Sequence, residues 1–370
     1  MSQRYGKIGR DLCRKDRVVK FMETLNQSKP RDHYFDNAKF ILIFLVVFGH
    51  LLQTFVAEYA SVRVLYIFIY TFHMPAFILI SGYFAKGFKK PGYLMRTMKK
   101  LILPYVFFQL IYSIFYYYLL GQSSISLTLL DPEWSLWFLL SLFFWNILLY
   151  GFAKLKPGLS ISIAVTIGLL AGYFDMIDGY LSLSRTFVFF PFFLVGFFMQ
   201  KEQFKWLQTR IARILGSLIM LAILIFIISS PDLNENWFLG SKPYGNFVDV
   251  KTFGLVIRGI IYFISFLSIA SFLTFVPKKR LFFTKWGKNT LYVYLLHGFF
   301  IKMFREGSMS DFSYTLNTFI LLLAISFGLT VILSSSVVTT FVQPIIELKI
   351  NRLKAAFVRL KEKILPNEGY

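Results

Sequence analysis

Long apolar runs, most of them about twenty positions, alternate along this chain with shorter polar or charged breaks. About twenty helical residues cross the hydrocarbon core of a bilayer, so each run reads as a transmembrane helix. The runs fall at 38–57, 64–85, 101–120, 135–153, 159–174, 184–199, 213–230, 252–275, 289–305 and 314–345, about ten in all. They are continuous, where the strands of a transmembrane β-barrel would alternate. The pattern predicts an all-α, polytopic transmembrane helical bundle. Two prolines mark irregularities. Pro75 removes the hydrogen bond to the Thr71 carbonyl and predicts a kink beside His73, and Pro191 interrupts the short sixth run. Beyond 345 the period changes. Ile346, Ile350, Leu353, Phe357, Leu360 and Ile364 recur every three or four residues among lysines and arginines. This predicts a C-terminal amphipathic helix lying on an anionic inner leaflet.

Composition agrees with that frame. The 370 residues are 56% hydrophobic and 19% aromatic, with a formal charge of +21. A soluble fold could not hide so much apolar surface. The charge does not point to nucleic acid, because its distribution follows the runs. The N-terminal segment, 86–100, 201–210 and 278–288 are rich in Lys and Arg, the segment between the first two runs has only Arg63, and 121–134 has none. This is the positive-inside pattern of a multi-pass cell-membrane protein with both termini cytoplasmic. Three regions follow: a basic N-terminal segment at 1–37, a membrane domain at 38–345 and a basic amphipathic tail at 346–370. No secretory signal is seen. Cys13 is the only cysteine, which excludes an internal disulfide and a thiolate metal cluster, and no metal site is expected.

Ionisable residues inside lipid are costly and mark candidate function. The first run, with its polar N-terminal edge, carries Asp36, Lys39 and His50. Lys39 and His50 are eleven positions apart, which puts them within roughly 20° of one helix face and about 16 Å apart along the axis. His73, on the returning run, is expected at a similar depth. In the ninth run Thr290, Tyr294 and His297 share a face, and Arg185 stands at the outer mouth of the sixth. Each has a plainer reading. The histidines could tie helices together, Lys39, Asp36 and Arg185 could anchor at the interface, Ser81 and Gly82 could serve close packing, and Trp137 could face lipid.

The order of these motifs resembles the acyltransferase-3 family of integral membrane O-acyltransferases. "KFILIFLVVFGH" is similar to that family's first-span signature of a basic residue followed by a histidine, with Lys39 where most members have Arg. "FHMPAFILISGYF", "RTMKKLILPY", "LWFLLSLFFW", "RTFVFFPFFLVGFF" and "LYVYLLHG" resemble its later motifs in order. The variant looks closest to the fucose O-acetylase-like branch.

The resemblance implies transfer of an acyl group, usually acetyl, from cytoplasmic acyl-coenzyme A to a hydroxyl of a cell-surface or lipid-linked glycan. Acyl-CoA is then a donor substrate, and no permanently bound cofactor is expected. The basic loops suit an anionic donor. On this reading His50 is the general base, and His73 polarises the thioester carbonyl or orients the sugar. Lys39, oriented by Asp36, holds the donor, and Arg185, His297 and Tyr294 contact substrate. Two other classes stay open: a transporter or flippase for a small metabolite or lipid-linked sugar, and a non-catalytic membrane partner in glycan assembly.

Overall fold

The computed structural model describes residues 32–121, 128–175, 177, 180–248, 250–307 and 313–346. The N-terminal segment with Cys13 and the amphipathic stretch expected beyond Ile346 lie outside the described residues. No strand occurs among the described residues. The helices are α1 (His33–Leu52), α2 (Ala60–Tyr70), α3 (His73–Phe84), α4 (Tyr93–Leu119), α5 (Trp137–Phe152), α6 (Pro157–Ala171) and α7 (Leu183–Phe198). A short α8 (Lys201–Leu207) leads to α9 (Arg210–Ile228), α10 (Lys251–Phe275), α11 (Thr290–Glu306), α12 (Leu316–Ser334) and α13 (Ser336–Ile346).

Among the described residues, seven helical stretches are long and apolar enough to cross a membrane: His33–Phe55, Ala60–Gly87, Tyr93–Leu119, Tyr180–Phe198, Arg210–Ile228, Phe253–Phe275 and Leu316–Ser334. The shorter apolar α5 and α6, together with α11, fill the remaining places in the expected order. The helix starts follow local chemistry. Asp32 caps α1 by accepting from the Tyr34 amide at 3.1 Å, and Thr209 and Thr315 cap α9 and α12. Pro75 has its expected consequence. The second span breaks at Thr71 and Phe72, so Pro75 sits in the first turn of α3, where no amide is needed, with His73 at that helix's start. Two expectations change. Pro191 does not interrupt α7, which runs through it. The last run divides at Ser335, whose extended backbone separates α12 from α13.

The loops rich in Lys and Arg gather at one end of the bundle. There Asn37, fully buried, donates to the carbonyls of Pro277 and Lys279 and accepts from Thr284. Lys86 donates to the Met199 carbonyl, and Phe204 packs against Phe35 and Tyr83. At the opposite, distal end Arg63 reaches the Leu233 carbonyl and Glu235, and Ser184 bonds to Gly240. Near the basic end α3 and α7 pack closely through a reciprocal pair of glycines. Gly82 lies against the Phe193 carbonyl and Gly196 against that of Leu79. The packing reading of Gly82 therefore holds. The lipid-facing reading of Trp137 does not: its ring is 9% exposed and stacked on Phe189 at 5.6 Å.

Candidate active site

Helix α1 holds Asp36, Lys39 and His50 in one rigid rod, since all three lie within its twenty residues. Lys39 pairs with Asp36 at 2.8 Å, one turn away, so its ammonium is held on the inner face of the helix. It forms part of the rim of a cavity of about 510 Å³. Arg96, Lys100 and Tyr93 from the start of α4 share that rim, and Ser81 and Asn146 stand in the walls. Val46, Met74, Phe138 and Tyr294 also line the cavity. Val46 is one helical turn before His50, Met74 follows His73, and Tyr294 is one turn before His297. The lining thus combines three cations with residues that lie within one helical turn of each of the three histidines.

The histidines converge although they come from three helices. The His50 and His297 rings stack with centroids 5.5 Å apart. The Tyr70 ring meets His73 edge-on at 4.3 Å, and its hydroxyl lies 3.5 Å from Nδ1 of His50. Gly49 leaves room for that tyrosine, because a Cβ there would come within 3.0 Å of it. Nδ1 of His73 is 3.1 Å from the Ile69 carbonyl, and Nδ1 of His297 lies 3.0 and 2.8 Å from the carbonyls of Val293 and Tyr294. A carbonyl only accepts, so both Nδ1 atoms carry the proton, and in the neutral rings Nε2 carries the lone pair. Nε2 of His297 is buried with no partner among the described residues. His73 therefore presents an acceptor. An acceptor of this kind can orient a hydroxyl, whereas donating to a carbonyl would require a protonated ring.

The other expected residues separate. Tyr294 donates to the Ser135 carbonyl while lining the cavity. Thr290 also lines it. Arg185 lies at the distal end, its guanidinium 5.0 Å from the Trp137 ring centroid and its Nε 3.3 Å from the Leu239 carbonyl.

Sequence reasoning missed several neighbours. Arg305 donates to the His50 carbonyl at 2.8 Å and to Oε1 of Gln53 at 2.6 Å, which ties α11 to the end of α1. Its position eight residues after His297 on one helix face was the available signal. Trp134 lies 4.4 Å from the His50 ring and 5.4 Å from the His297 ring, with Arg305 over it at 5.5 Å. Nothing in the local sequence separates it from an interfacial tryptophan. Beside it, burial and the nearby Asp131 hold the Glu133 carboxyl above its usual range, with Lys302 opposing.

Residues 32–339 match the acyltransferase-3 family, described as an acyltransferase domain. The chain is also similar to two proteins called Nodulation protein NolL. It is 30% identical over 185 residues to that of Sinorhizobium fredii, covering 46% of this chain and 49% of that protein. It is 46% identical over 63 residues to that of Mesorhizobium japonicum, covering 16% of this chain and 17% of that protein. The match thus spans about half the length of the first relative and much less of the second. No solved structure matches.

Proposed function

The chain belongs to the acyltransferase-3 family, and we propose that it is a multi-pass cell-membrane O-acyltransferase, specifically an O-acetyltransferase. It takes the acyl group from acyl-CoA at the basic, cytoplasmic end and gives it to a hydroxyl of a cell-surface or lipid-linked glycan reaching the distal end. Both termini then lie in the cytoplasm. One observation carries this reading: a single cavity is lined both by Lys39, Arg96 and Lys100 and by Val46 and Tyr294, which lie one helical turn from His50 and His297. Its charges suit the phosphates of a coenzyme A, and its apolar lining suits the thin arm that carries the thioester. Lys39 offers a point charge there, without the planar fork of the arginine usual in the family.

The chemistry follows from the acceptor. A neutral hydroxyl is a poor nucleophile until a base takes its proton as the O–C bond forms. His50 takes that proton. The tetrahedral oxyanion collapses, the C–S bond breaks, and the proton passes to the departing thiolate, so ester and free coenzyme A leave with every atom accounted for. His73 orients the acceptor through the Nε2 lone pair, Tyr294 and His297 line the path between the two substrates, and Arg185 receives an anionic part of the acceptor at the distal mouth.

The test is acetyl transfer by the purified, detergent-solubilised chain. It is given labelled acetyl-CoA and isolated envelope glycans, and free thiol and labelled glycan ester are measured together. Thiol release matched by ester formation, both lost in His50→Ala, is the expected result. A folded His50→Ala protein with full transfer would remove the base. Glycan movement across a vesicle without acetyl-CoA consumption would make the chain a transporter.

A further inference from the structure

The strap at 128–136 is held more firmly than a surface loop requires. Gln109, fully buried on α4, donates from one amide nitrogen to the carbonyls of Thr128 and Asp131, both at 2.8 Å, and accepts from the Glu133 amide at 2.9 Å. Tyr105 bonds to the Leu129 carbonyl, the Leu181 amide to that of Leu130, and Tyr294 to that of Ser135. The strap's product is the backbone of Trp134, at φ +35°, a region that a bulky side chain enters only when its surroundings impose it. Gly298 makes room for the indole, since a Cβ there would lie 2.8 Å from its Cζ3. The strain thus fixes a half-buried indole against the His50 and His297 rings at the distal side of the cluster.

Residues that meet the indole, and its chain neighbour, carry polar atoms without partners. Nε2 of His297, Nε of Arg305 and Oγ of Ser135 are buried and unbonded among the described residues. Buried donors and acceptors left open in this way are normally answered by water or a ligand. A half-buried aromatic ring with an open acceptor and open donors beside it has the chemistry of a sugar-ring site. The apolar C–H face of a pyranose stacks on the indole while its hydroxyls reach those polar atoms.

We propose that Trp134 is the acceptor platform of this enzyme. The pyranose ring lies on the indole with its reacting hydroxyl beside the His50–His297 pair, and Nε of Arg305 binds a further ring hydroxyl. This rests on the acyltransferase reading and adds the residue that selects the acceptor.

Purified protein is assayed with acetyl-CoA and a panel of methyl hexopyranosides, with the open-chain alditol ribitol as the acyclic control. Trp134→Ala should raise the KM for the best pyranoside about tenfold or more and leave the KM for acetyl-CoA unchanged. Trp134→Tyr and Trp134→Phe, which keep a ring, should recover most of that loss. The unchanged donor KM shows that the variants are folded. An unchanged acceptor KM in Trp134→Ala overturns the platform and leaves the acyltransferase standing. So does a rise only in acetyl-CoA hydrolysis without acceptor, which would make the indole a water seal. Ribitol acetylated as well as the pyranosides also overturns it. Wild-type protein that never consumes acetyl-CoA, with any acceptor, removes the acyltransferase reading and this inference with it.

Discussion

Gly82→Ala and Gly196→Ala should each destabilise the protein, although alanine is the better helix former. A Cβ at Gly82 would lie 2.8 Å from the carbonyl carbon of Phe193, and one at Gly196 would lie 2.7 Å from that of Leu79. Carbon atoms pack comfortably at about 3.5 Å, so each methyl intrudes on the carbonyl carbon by about 0.7–0.8 Å, and the carbonyl oxygens of Phe193 and Leu79 lie nearer still. The obstacle is helix backbone, which cannot rotate away, so α3 and α7 must move apart. Overpacking costs about 1–3 kcal/mol, and contact this close with rigid backbone belongs to the upper part, about 2–3 kcal/mol, while alanine returns at most about 1 kcal/mol of helix propensity. The net loss is about 1–2 kcal/mol for each variant. The double variant should lose less than the sum, because the first separation makes room for the second methyl. Gly151 and Gly328 are also helical, but a Cβ at either meets nothing within 4 Å. Gly151→Ala and Gly328→Ala should therefore leave stability unchanged or raise it. Thermal unfolding of the four single variants in one detergent gives the comparison, and acetyl transfer should fall with Gly82→Ala because α3 carries His73. Melting temperatures that shift the same way in all four would refute the close approach of α3 and α7.

Lys39→Ala should raise the KM for acetyl-CoA about tenfold with kcat nearly kept, Lys39→Arg should be tolerated, and His50→Ala should cut kcat by about 10² to 10⁴ at every donor concentration; steady-state kinetics separates the three. In a Cys13→Ser background, a cysteine at Asp131 should react with an impermeant thiol reagent in intact cells and one at Gly92 only after permeabilisation; the reverse would invert the membrane orientation. Glu133 has its folded-state pKa raised above the ordinary 4.5 by burial first and Asp131 second. Its contribution to stability is therefore fully present below 4.5 and is lost as pH rises through the folded value. Glu133→Gln should flatten that part of the melting-temperature profile, and an unchanged profile would show that the carboxyl is solvated in the folded protein.

The membrane architecture was legible because lipid imposes it on the chain one segment at a time. Each crossing must satisfy its own backbone and present apolar side chains, so length and hydropathy locate it without knowledge of its neighbours. The break before His73 was legible for a similar reason, since Pro75 acts on its own helix alone. So was the shared face of Lys39 and His50, which is helix geometry within α1. What the run lengths could not give was the course of α7 through Pro191 and the division after α12, because the surrounding helices decide whether a helix bends or ends. The site itself was only partly legible. Lys39, Asp36, His50, His73 and His297 drew attention as ionisable groups in or beside apolar runs, but nothing in the spacing showed that His50 would stack on His297 or that Tyr70 would bridge His50 and His73. Arg305 read as the edge of a span, and it became a brace only when α11 packed against the end of α1. Trp134 read as one tryptophan among six. Its place over the histidines depends on Gln109, Tyr294 and Gly298, residues 25 to 164 positions away in the sequence. Hydrophobicity is a property of each residue and can be read one position at a time. Convergence is a property of pairs distant in the chain, and only the packed bundle decides it.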